Sequence, residues 1–96
     1  MAMPNPTEIS KLRNLLDELS DVQAINAIYF SWGNNQQQIA DMRKVTPVSV
    51  RKSLEEARNK LSLNSLDTLR AVVITRIQMD IWLACYSSSS SSKKPK

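Results

Sequence analysis

The sequence predicts an all-α domain of four to five helices, with a short helix, a tight turn and a second helix at its centre. Three observations carry that prediction. Apolar residues recur at three- and four-residue steps over most of the chain. The steps are punctuated by helix-start signals at Ser20, Asn35 with Gln38, Thr46-Pro47 and Ser65. There is one glycine in 96 residues, which argues against sandwiches and barrels, whose turns and bulges need glycine.

Residues 1–6 contain Pro4 and Pro6 and are expected to fray. Thr7 caps a first helix over 8–18, with Ile9, Leu12, Leu15, Leu16 and Leu19 at helical spacing. Ser20 offers a new cap before Ala24, Ile25, Ala27, Ile28 and Tyr29, so the two series are one bent helix or two. Gly33 follows Trp32 where a left-handed residue ends a helix. Asn35 and Gln38 form a capping-box pattern for a helix to about Arg43, with Ile39, Ala40 and Met42 as its apolar positions. After a turn at Lys44-Val45, Thr46-Pro47 reads as N-cap plus first-turn proline, and Val50, Leu54, Ala57 and Leu61 make one buried stripe. Ser65 caps a last helix from Leu66 to about Tyr86, with Leu66, Leu69, Val73, Ile77, Ile81 and Ala84 as one apolar stripe. Residues 87–96, six serines and Lys-Lys-Pro-Lys, are expected to be a disordered tail. Tyr29 and Trp32 are expected in the core, with Cys85 as a small hydrophobe.

Composition limits the function. The chain has no histidine, which removes Ser-His and Cys-His catalysis and nearly every zinc site. A single glycine removes the Gly-rich phosphate loops of nucleotide sites. Cys85 is alone, so no internal disulfide forms and a reducing compartment is expected. The expectation is a protein without catalytic activity, cofactor or metal. Met1 to Pro6 lacks the regions of a signal peptide, and Ala71 to Tyr86 is interrupted by Arg76, Gln78 and Asp80. A soluble, cytoplasmic chain with no membrane partner follows as the expectation.

The net charge is +4, and its placement is uneven. Residues 34–64 carry Arg43, Lys44, Arg51, Lys52, Arg58 and Lys60 against Asp41, Glu55 and Glu56. Lys93, Lys94 and Lys96 add charge at the C-terminus, whereas residues 1–33 are net acidic. The middle and the tail are therefore the places for a polyanion. A short helix, a three-residue turn and a well-capped second helix is also the outline of a helix-turn-helix.

Over residues 19–75 the sequence resembles the DNA-binding domain of LuxR/FixJ-type bacterial transcription regulators, without a gap. Leu19-Ser20 stands at the family's opening Leu-Thr, Gly33 at its helix-closing glycine and Asn35 at the polar residue that starts the next helix. Ile39-Ala40, Thr46-Pro-Val-Ser-Val-Arg51, Lys60-Leu61 and Ser65 follow in register. Departures are Gln23 for a glutamate, Ser53 for a histidine, Ser62 for a glycine, and the carboxylates Glu55-Glu56 in a region often basic or polar. The resemblance implies a LuxR-like helix-turn-helix over 19–86, with 46–61 as recognition helix, 1–18 as an N-terminal extension and a homodimer contact on the last helix. Family members usually carry a sensor domain ahead of this module. Only 18 residues precede it here, so a stand-alone effector, or a piece of a longer chain, is expected.

The candidate contacts to double-stranded DNA are Arg51 and Lys52, opposite the buried stripe, and Glu55, able to accept from a cytosine amine. Lys44, Thr46 and Ser49, with the amides of Asn35 and Gln36, are candidates for phosphate. Against this, Arg51 is placed to pair with Glu55 four residues on. The last helix has a second apolar face, Val72, Met79, Leu83 and Tyr86 with Trp82 beside it, for a dimer or for the N-terminal helix folding back. The rival class is a helical interaction module that binds another transcription regulator, RNA polymerase or a secretion partner without using DNA.

Overall fold

The computed structural model describes residues 10–93, and all its regular elements are helical. A 3₁₀ helix, Ser10–Leu16, is followed by α1 (Asp21–Ser31), α2 (Gln36–Arg43), α3 (Pro47–Lys60) and α4 (Leu66–Lys93). The expected cap at Thr7 and the residues 1–6 and 94–96 lie outside the described residues. The N-terminal series and α1 are separate elements. Tight three-residue turns put Leu12 and Leu15 on one side and let the Leu19 amide bond the Leu16 carbonyl at 3.0 Å. The α-helix expected over 8–18 is thus a shorter, tighter helix.

Each α-helix begins where a side chain replaces a missing backbone partner. Ser20 Oγ accepts from the Gln23 amide at 3.2 Å while Gln23 Oε1 accepts from the Ser20 amide at 3.1 Å. Asn35 and Gln38 make the same reciprocal pair, both at 2.8 Å. Thr46 Oγ1 accepts from the Ser49 amide, with Pro47 in the first turn, and Ser65 Oγ accepts from the Thr68 amide. The closing residues take left-handed backbones: Gly33 (φ 93°), Lys44 (φ 58°) and Ser62 (φ 56°). For Ser62 this is a conformation that glycine adopts without the steric cost of a Cβ.

α1 is the axle of the fold. It packs against the 3₁₀ helix, α2, α3 and α4, and it is buried nearly all round, Asn26 included. Tyr29 and Ile28 from α1 meet Ile39 and Ala40 of α2, Val50, Leu54 and Ala57 of α3, and Leu69, Val73 and Ile77 of α4 in one core. Trp32 packs at the edge of that core, while Phe30 lies within it.

α4 outruns the body. Its 28 residues make a rod of about 42 Å, whereas the 11 residues of α1 reach only about 16 Å. Burial accordingly stops at Ile77, and Ile81 and Ala84, expected to extend the buried stripe, are exposed. The radius of gyration is 15.2 Å, against the roughly 12.5 Å of a compact chain of this size. α4 also does not end near Tyr86. It continues to Lys93, so residues 87–93, expected in a disordered tail, have helical backbone. A helix already several turns long adds one hydrogen bond per residue, and serine opposes this only weakly.

Candidate nucleic-acid interface

The turn between α2 and α3 is three residues long, Lys44 to Thr46, and the backbone reverses there because Lys44 adopts the left-handed conformation. Ile39 and Ala40 of α2 and Val50 and Leu54 of α3 are buried, which fixes the two helices together. At about 100° per residue, the face of α3 opposite Val50, Leu54 and Ala57 carries Val48, Arg51, Lys52, Glu55 and Asn59. Val48, Arg51, Lys52 and Asn59 are exposed, and Glu55 is half-buried.

The structure sorts the six cations of the central segment. Arg43 turns inward, donating from Nη1 to Asn26 Oδ1 at 2.9 Å, with its Nε buried and unpartnered. Arg58 donates to Glu55 at 2.9 Å and to the Leu63 carbonyl at 2.9 Å, bracing the α3–α4 connection. Lys44, Arg51, Lys52 and Lys60 are exposed, and their side chains make no hydrogen bond or ion pair among the described residues. The anticipated Arg51–Glu55 pair does not form, because Glu55 is taken by Arg58. Glu56 accepts from Gln23 Nε2 of α1 at 3.3 Å. The two carboxylates that most oppose an anion are thus held by neighbours, and the two cations beside them are free.

The other candidates divide. Thr46 and Ser49 stand exposed at the start of α3, the Thr46 hydroxyl oxygen accepting the Ser49 amide and keeping its proton to donate. Asn35 and Gln36 lie at the far end of α2, about 12 Å along its axis from Lys44. The Asn35 amide is already committed to Gln38, which leaves Gln36. A shallow groove of about 380 Å³ flanks α3, with Lys52 and Glu56 on its lip and the start of α1 as its other wall. Ser53 Oγ lines it, buried and without a partner among the described residues. Opposite charges on the lip give it no net pull on an anion.

On α4, Val72 is half-buried, whereas Met79, Leu83 and Tyr86 are exposed, as are Ile81 and Trp82. The Trp82 and Tyr86 rings stack at 5.2 Å. The 3₁₀ helix does not reach this surface. It is clasped to the packed half instead, through a two-pronged pair from Arg76 to Glu18 at 2.8 and 3.0 Å and a hydrogen bond from Arg76 to the Leu15 carbonyl. Arg70 is likewise spent internally, 4.0 Å over the Phe30 ring. Asp80 is the only charged side chain from Ile77 to Ser92.

Two features escaped the sequence. The inward turn of Arg43 had one signal, the polar Asn26 within an apolar series. The exposure of Val48, at 77% the highest of any large hydrophobic among the described residues, also had one signal, its place off the Val50–Leu54–Ala57 stripe.

No helix among the described residues is long and apolar enough to cross a membrane, and they hold no cluster of potential metal ligands. Comparison with protein-family models, with curated proteins and with solved structures finds no match to this chain.

Proposed function

We propose that the chain is a bacterial transcription regulator with a LuxR-like helix-turn-helix, binding double-stranded DNA in the cytoplasm as a homodimer. The observation that carries this reading is the outward face of α3, where Arg51 and Lys52 are unpaired among the described residues while Glu55 and Glu56 are held by neighbours. In this reading α3 enters the major groove and the Arg51 guanidinium meets guanine O6 and N7. Lys44 and Lys52 meet flanking phosphates, joined by the hydroxyls of Thr46 and Ser49 and the Gln36 amide. Glu55, drawn toward Arg58, presents less charge to the duplex than its position suggests.

The dimer reading rests on the projecting half of α4. Met79, Leu83 and Tyr86 form an apolar strip that a second copy buries symmetrically, with Val72 at its inner end. The same strip favours a second reading, in which α4 docks another transcription regulator, RNA polymerase or a secretion partner and DNA is not bound. Fluorescence anisotropy with labelled duplexes across a salt series separates the two. The DNA reading expects affinity that falls steeply and linearly in log–log form with salt. Absence of binding to any duplex at low salt leaves the docking reading in its place.

A further inference from the structure

We infer that Val48 is a base-reading residue that recognises the C5-methyl group of thymine. The inference rests on the DNA-binding reading above and adds the identity of a base to it.

The exposed large hydrophobics among the described residues fall in two places only. Met79, Ile81, Trp82, Leu83 and Tyr86 are on the projecting half of α4, and Val22, Val45 and Val48 surround the start of α3. Val48 is the most exposed of all of them, at 77%. Folding does not account for it there. Its side chain buries little surface, and a β-branched residue is a poorer helix former than alanine. Its neighbours define the surface it belongs to. Arg51 and Lys52 follow three and four residues on, so the three side chains stand on one side of α3 within one turn.

That combination matches one surface in particular. The major groove presents hydrogen-bonding atoms for every base pair and a single apolar group, the thymine methyl. Val48 lies in the first turn of α3, the part of a recognition helix that reaches base edges. A valine has essentially one side-chain rotamer in a helix, so little freedom is lost on contact. The two cations beside it hold the duplex against the helix, which makes a weak apolar contact selective.

The test uses the full chain. Duplexes are selected from a randomised pool, and each thymine of a selected duplex is replaced in turn by deoxyuridine, which lacks only the methyl. At one thymine, or at a symmetry-related pair, the wild type is expected to lose about fourfold in affinity, the value of burying one methyl-sized group. Val48→Ala, with unchanged helicity by circular dichroism, is expected to lose a similar factor on the thymine duplex and to bind thymine and deoxyuridine equally at that position. A wild type indifferent to every replacement overturns the inference while leaving DNA binding intact, as does a Val48→Ala chain that keeps the discrimination. A chain that enriches no duplex overturns the DNA-binding reading and this inference with it.

Discussion

The outward face of α3 and the projecting half of α4 are both exposed and both helical, and their chemistry is opposite. α3 presents Arg51 and Lys52 on a helix whose other side is fully buried, the ordinary division of an amphipathic surface helix. α4 beyond Ile77 presents Met79, Trp82, Leu83 and Tyr86 along one side and Ile81 apart from them, with Asp80 as its only described charge. The first surface is satisfied in water and gains from a polyanion. The second gains from being covered, because a contiguous exposed apolar strip marks a surface that another molecule buries. Charge left free and apolar area left uncovered thus mark two different kinds of partner on one small domain.

The sharpest way to break this contrast is to compare the two halves of α4. Leu69→Ala in the packed half is expected to cost about 2–5 kcal/mol of stability in urea unfolding. Leu83→Glu in the projecting half is expected to change monomer stability by less than about 0.5 kcal/mol, while separating subunits in sedimentation at tens of micromolar. Equal destabilisation by the two substitutions would mean that the projecting half is packed in the monomer. On α3, Arg51→Ala is expected to lower affinity for a selected site by about 1–3 kcal/mol and to relax preference at one base position. Lys44→Ala should instead weaken all duplexes alike and reduce the salt slope by about one.

A smaller effect tests the clasp that leaves the projecting half bare. The guanidinium of Arg76, hydrogen-bonded to Glu18, holds its carboxyl at about 2, far below the ordinary 4.5. A depressed carboxyl stabilises the fold fully above the unfolded value and loses that contribution as pH falls from about 4.5 towards 2. Glu18 is half exposed, so solvent screening limits the contribution to about 1 kcal/mol or less. Glu18→Gln is expected to remove this part of the pH dependence in acid titrations followed by circular dichroism. The smallest expected change is Ser62→Gly, which relieves a left-handed backbone and should raise stability by about 0.5 kcal/mol in the same assay.

The starts of the four α-helices were legible in the sequence. Ser20–Gln23, Asn35–Gln38, Thr46–Ser49 and Ser65–Thr68 are contacts between residues three apart, so the signal and its partner sit in one short window. The buried stripe of α3 and the inner stripe of α4 as far as Ile77 were legible for the same reason, as a local period. Tertiary structure alone decided which charges are free. Arg43 and Arg51 look alike in the central basic segment, yet Arg43 turns to Asn26, 17 residues away, and Arg51 has no partner among the described residues. Arg76 finds Glu18 across 58 residues. Tertiary structure also decided where α4 stops being core, because the apolar period runs on past Ile77 while α1, the helix it packs against, has already ended. Hydrophobic spacing states which side of a helix seeks cover, and the length of the neighbouring helix sets how much of that side is covered within the described fold.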